Sequence, residues 1–140
     1  MFREAIVRAC DAMNHRKTFL AAGLFGATGV GAGAFGAHGL AAQFAERGTA
    51  HAWESGSRYH LLHAIALLGI ALWQMQPAAP ARVTTWAARC WCAGIVLFSG
   101  SLYGIALGGP RWLGPVTPLG GVAFIAGWLC VAAAAWTKEK

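Results

Sequence analysis

The chain has 140 residues, of which 57% are hydrophobic and 11% charged, against roughly 25% charged in an ordinary soluble domain. At this length one domain, residues 1–140, is expected, and its composition excludes water as its main solvent. The net charge of +6 does not mark a nucleic-acid binder, because the basic residues lie singly or in pairs between apolar blocks and form no stripe with interleaved aromatics.

Residues 1–17 read as an amphipathic surface helix lying on the anionic cytoplasmic leaflet. Phe2, Ile6, Ala9 and Met13 share one face, while Arg3, Glu4, Arg8 and Asp11 point elsewhere. The first span comes next, over residues 19–40, free of formal charge and about 33 Å long as a helix, enough for a hydrocarbon core of roughly 30 Å. Its length and the charged leader before it argue against a cleaved signal peptide. The second span, residues 57–76, rests on a short apolar run and crosses only if its polar ends lie at the interfaces, with a helical extension before it. Residues 86–107 and 116–136 complete the set, Arg89 being near enough to an end to snorkel. Pro77 and Pro80 break the chain between spans two and three, and Gly108, Gly109, Pro110 and Pro115 between three and four. The expectation is an all-α, four-transmembrane-helix bundle with up-down topology.

Lysine and arginine set the orientation. Arg3, Arg8, Arg16, Lys17, Arg82, Arg89, Lys138 and Lys140 fall on one side, and only Arg47, Arg58 and Arg111 on the other. Both termini are therefore expected in the cytoplasm. Trp73, Trp86, Trp91 and Trp136 then form an inner aromatic belt, and Tyr59, Tyr103 and Trp112 an outer one.

In the first span Gly26, Gly29, Gly33 and Gly36 are spaced three, four and three apart, on one face. Glycine costs a helix up to about 1 kcal/mol relative to alanine, so the face is expected to allow close backbone approach to a neighbouring helix. Packing within the chain is the simpler form of this, and a homo-oligomer through the GxxxG pair of Gly29 and Gly33 the alternative.

The uncommon polar residues collect toward the outer side: His38, Glu54, Arg58, Tyr59, His60, His63, Ser99, Ser101, Tyr103 and Thr117. Polar groups in hydrocarbon are costly unless paired, so a shared cluster is expected, with Glu54 and Arg58 pairing at i, i+4 if helix continues through Gly56. His60 and His63 have no matching carboxylate on another span, and no HExxH, CxxCH or CxxC is present, so no metal or cofactor is expected. Cys10, Cys90, Cys92 and Cys130 read as free thiols, and no GxSxG elbow supports a serine nucleophile.

GAFGAHG at 33–39, ESGSRYHLLHA at 54–64, FSGSLY at 98–103 and LGPVTPLGG at 113–121 together resemble the YgdD/YwdK-like family of small, uncharacterised bacterial inner-membrane proteins. The resemblance covers about residues 18–136 and implies four spans, an inner-membrane location and no stated activity. It marks His38, Tyr59, His63, Ser101, Tyr103, Thr117, Pro118 and Gly120. His60 departs from the family pattern, where glutamine comes after the tyrosine, which weakens any metal site built on it.

No complete catalytic constellation is present, so the leading functional expectation is a non-catalytic scaffold or accessory component in the bilayer, partnered by itself or by another membrane protein. The alternative is a small oligomeric transporter or channel with a polar site in the outer half of the bundle. A membrane enzyme or redox carrier using the histidines ranks third.

Overall fold

The computed structural model describes residues 14–135, and all regular structure among them is helical. Helix α1 (His15–Ala34) starts at Asn14, whose side chain accepts from the Lys17 N–H at 3.1 Å, so the first turn is capped as an N-terminal asparagine does it. A π-turn, Phe35–Gly39, carries α1 on to a bend at Leu40 and a short helix α2 (Ala41–Arg47). Gly48, at φ 67°, closes α2 in the left-handed conformation that glycine adopts without a Cβ penalty. Helix α3 (Ala50–Trp73) is next, then α4 (Ala81–Gly94), a second π-turn at Ile95–Ser99, α5 (Gly100–Ala106) and α6 (Leu113–Ala134). Gly108, at φ 86°, makes the turn between α5 and α6.

Three helical stretches are long and apolar enough to cross a membrane: His15–Gly39, Ala81–Ala106 and Leu113–Ala134. Helix α3 matches them in length, with 24 residues, but carries Glu54, Ser57, Arg58, His60 and His63 between its start and its middle turns. Those residues make its composition too polar to stand with the other three.

Neighbouring helices run antiparallel, as the bonds at their two ends show. At one end Thr18 of α1 donates to Gln74 Oε1 just after α3, at 2.8 Å, and at the other Trp53 of α3 donates to Ala32 O of α1, at 2.9 Å. Arg47 Nη1 and Thr49 Oγ1, which flank the turn into α3, donate to Leu107 O and Ala106 O at the end of α5, at 2.7 and 3.0 Å. Trp91 of α4 donates to Phe124 O of α6 at 3.3 Å, and Ser101 of α5 lies 2.7 Å from Thr117 of α6. The main core joins Leu67 and Ile70 of α3 to Ala87, Trp91 and Ile95 of the α4 segment and Phe124 of α6. A smaller core under the α2 end holds Phe44, Trp53 and Ala106.

Outward-facing positions are apolar. Leu20, Val30, Ile65, Val96, Val122 and Leu129 are all exposed, a surface that a monomeric soluble protein rarely tolerates and that lipid accepts.

Several expectations are revised by this packing. Trp91 is fully buried and Tyr103 turns inward against Trp53, so neither stands in an interfacial belt. Helix α3 begins at Ala50 and runs through Gly56, yet among the described residues no ion pair joins Glu54 to Arg58. The glycines of α1 divide. A Cβ on Gly29 would press on Leu61 and one on Gly36 on the Trp53 indole, whereas Gly26 and Gly33 face open space. The amphipathic helix expected over residues 1–17 falls largely outside the described residues, as do Cys10, Trp136, Lys138 and Lys140.

Candidate functional site

The π-turn at the end of α1 shapes the site. It widens the helix and disturbs the i to i+4 ladder, and Ala32 O, just before it, accepts the Trp53 indole N–H. Gly36 leaves room for that indole against the α1 backbone. Trp53 is in turn packed between Phe44, with ring centroids 5.0 Å apart, and Tyr103, at 4.6 Å. Next to it lies a cavity of about 460 Å³ between α1, α2 and the start of α3. Gly33, Gly36, Ala37, Ala41, Phe44, Ala45, Ala50 and Trp53 form its apolar wall, and Glu54, Ser57 and Arg58 its polar side. Glu54 and Arg58 are exposed there, while Ser57 is buried.

From Ser57 a chain of polar side chains runs inward. Tyr103 OH donates to Ser57 Oγ at 3.4 Å and lies 3.1 Å from His60 Nδ1, and the other ring nitrogen of His60 is 3.4 Å from Thr28 Oγ1. Thr28 also donates to Leu24 O at 2.8 Å. Tyr103 has one proton for two partners, and with the Thr28 proton given to Leu24 O the order that satisfies both nitrogens of His60 is Nε2–H donating to Thr28 and Nδ1 accepting from Tyr103. The chain spans α1, α3 and α5.

His63, one turn further along α3, differs. The Trp128 indole N–H donates to its Nε2 at 3.2 Å, which leaves the proton on Nδ1 to go to Tyr59 O at 2.8 Å. The ring stacks on Phe124 with centroids 3.6 Å apart. One tautomer therefore satisfies both nitrogens, as a buried polar group requires.

The remaining residues of the expected cluster are distributed around these two histidines. Tyr59 is partly exposed, stacks on His63 and packs at a tilt against Phe98. Ser101 donates to Phe98 O at 2.9 Å and meets Thr117, so it ties α5 to α6. Ser99, fully buried, has no hydrogen-bond partner. His38 is exposed within the first π-turn and does not line the cavity. The structure thus joins Tyr103 to His60 and Ser57, Ser101 to Thr117, and sets Glu54 and Arg58 on the cavity, leaving His38 apart.

Trp53, Thr28 and Trp128 were not singled out from sequence. Trp128 carried a usable signal, because an indole in the middle of an apolar span needs a partner for its N–H. Among the described residues no group of three or more His, Cys, Asp or Glu is placed to hold a metal ion, and Cys90, Cys92 and Cys130 are free.

Comparison with known proteins adds a lineage to this geometry. The family described as "Protein of unknown function (DUF423)" matches residues 32–121, a stretch that includes the cavity wall, both histidines, Ser101 and Thr117 but neither Thr28 nor Trp128. The UPF0382 membrane protein YwdK of Bacillus subtilis (strain 168) is 42% identical over 120 residues, 85% of this chain and 96% of its own length. A UPF0382 membrane protein of Haemophilus influenzae (strain ATCC 51907 / DSM 11121 / KW20 / Rd) is 36% identical over 97 residues, 64% of this chain and 76% of its own. The UPF0382 inner membrane protein YgdD of Escherichia coli (strain K12) is 41% identical over 78 residues, 54% of this chain and 56% of its own. No solved structure matches.

Proposed function

The chain belongs to the DUF423 family of unknown function, and from that premise we propose a four-span inner-membrane protein acting as a non-catalytic scaffold or accessory component. Relatives named as membrane proteins, one of them as an inner membrane protein, support the location. The fourth span is α3. Its two ends are level with those of α1, bonded through Thr18–Gln74 and Trp53–Ala32, which supports a crossing by α3 in a bilayer that α1 crosses. Its polar residues are compatible with this because Ser57, His60 and His63 are buried against neighbouring helices, the exposed charges Glu54 and Arg58 lie near its start, and Leu62, Ile65, Leu68 and Leu72 are exposed beyond them. Arg16, Lys17, Arg82 and Arg89 lie toward one end of the helices and Arg47, Arg58 and Arg111 toward the other, which supports termini in the cytoplasm.

The observation that carries the non-catalytic role is how the interior polar groups are used. His63, Ser101, Thr117, Trp91 and Trp53 each hold one helix to another, and hydrogen bonds spent this way fix helix packing rather than aim at a substrate. Purification from native membranes in mild detergent tests the role: a defined membrane protein should accompany the chain at constant stoichiometry. Repeated isolation of the chain alone would contradict it.

A second reading draws on the Ser57–Tyr103–His60–Thr28 chain, which leads from the cavity into the helix interior and would suit a small transporter moving protons or a polar solute, by itself or as an oligomer. Proteoliposomes carrying a pH-sensitive dye would show a proton flux that Tyr103→Phe abolishes. Wild-type liposomes as tight as empty ones remove this reading.

A further inference from the structure

Glu54 and Arg58 border one cavity side by side without pairing to each other. At i, i+4 on a continuous helix, opposite charges are neighbours and can pair. Here the helix is continuous, both side chains border the 460 Å³ cavity, and among the described residues no ion pair joins them. The volume opposite them exists because Gly33, Gly36, Ala37, Ala41 and Ala45 carry little or no side chain, and it falls in the size range of small-molecule sites. One wall is thus apolar, and the other offers one anion and one cation about a helical turn apart.

We propose that this cavity binds the headgroup of a zwitterionic phospholipid with a primary amine, Arg58 taking the phosphate and Glu54 the ammonium. The planar guanidinium suits a phosphate bidentately, and the carboxylate accepts from an N–H donor. Phosphate and amine in an ethanolamine headgroup are two methylenes apart, a span comparable with one helical turn of about 5.4 Å. The charges select within the lipid class. A glycerol headgroup offers Glu54 only neutral hydroxyls, weaker partners than an ammonium, and a quaternary ammonium has no N–H to give it. The apolar wall and the position of the cavity, where α1 and α5 both end, select a lipid over a free zwitterion, because both place it at a membrane boundary. This rests on the membrane reading proposed above, but it requires no catalytic or scaffolding role.

The test is native mass spectrometry of the full chain released from nanodiscs of equal parts phosphatidylethanolamine, phosphatidylcholine and phosphatidylglycerol. One retained phosphatidylethanolamine is expected, enriched about tenfold over the other two, the factor that roughly one charge-assisted hydrogen bond supplies. Glu54→Gln should bring phosphatidylcholine to near parity, and Arg58→Gln should remove the retained lipid. Both residues are exposed, so neither change touches the core. Ala45→Phe fills the cavity with both charges in place and should also remove the lipid, while unaltered far-ultraviolet circular dichroism reports an intact fold. Retention in proportion to abundance, or unchanged enrichment in Ala45→Phe, overturns the proposal. Uptake of soluble phosphoethanolamine by lipid-free protein that enriches no lipid would assign the cavity to a free zwitterion and overturn it equally. Selective retention with a topology other than four spans would leave the lipid site standing and remove the span assignment alone.

Discussion

The Trp128 indole N–H on α6 donates to His63 Nε2 on α3 at 3.2 Å, and this one bond determines which ring nitrogen of His63 carries the proton. The opposite nitrogen then donates to Tyr59 O at 2.8 Å. The pair closes α3 onto α6 near the midpoint of α3. A double-mutant cycle of His63→Phe and Trp128→Phe should give a coupling of about 0.6 kcal/mol, and no more than about 1.7 kcal/mol, the range found for interhelical hydrogen bonds in a membrane protein. Unfolding in mixed detergent micelles measures it, and additive effects of the two substitutions would deny the bond.

Two serines separated by one residue should respond oppositely. Ser99 is fully buried with an unpartnered hydroxyl, whereas Ser101 donates to Phe98 O and meets Thr117. Removing an unsatisfied buried hydroxyl is neutral or stabilising, and removing a bonded one costs about 0.5–1.5 kcal/mol, here leaving Thr117 only its bond to Leu113 O within α6. Thermal unfolding in detergent should therefore rise or hold for Ser99→Ala and fall for Ser101→Ala.

The glycines sort by what a methyl group would meet. Gly120 lies against the backbone of Phe98, so Gly120→Ala must displace main chain, and a loss of about 2 kcal/mol or more is expected, as for an overpacked site. Gly33 faces open space, and Gly33→Ala should stabilise α1 by up to about 1 kcal/mol. Gly33→Leu separates packing within the chain from packing between copies. A monomer keeps its melting temperature, and a homo-oligomer built on this face loses its crosslinked species.

The apolar runs made the helices legible because a span of lipid-facing residues imposes its own length, as over 19–40 and 116–136, and proline and glycine marked where each ends. The site was legible only in outline. Tyr103, Ser101 and Thr117 stand out as polar residues in apolar runs, and each contacts another helix. Spacing alone places Gly26 and Gly33 about 60° and 40° around α1 from Gly29, near enough to share a face yet far enough to miss the narrow contact with α3. Nor does sequence convey how a helix departs from regularity, as at the two π-turns, Phe35–Gly39 and Ile95–Ser99. Trp53 does not stand out in the sequence because its role depends on Gly36, a residue on a different helical segment. The Glu54 and Arg58 pairing failed because i, i+4 spacing permits a contact without requiring it.

Position 78 decides whether α3 is a fourth span. In a chain whose native cysteines are replaced by serine, Glu46→Cys, Ala78→Cys and Arg111→Cys each place one exposed thiol in a connection between spans. Labelling of right-side-out vesicles with a membrane-impermeant maleimide should modify positions 46 and 111 and leave 78 protected until the vesicles are opened. Labelling of 78 together with 46 would place both ends of α3 on one side of the membrane and exclude a crossing by α3.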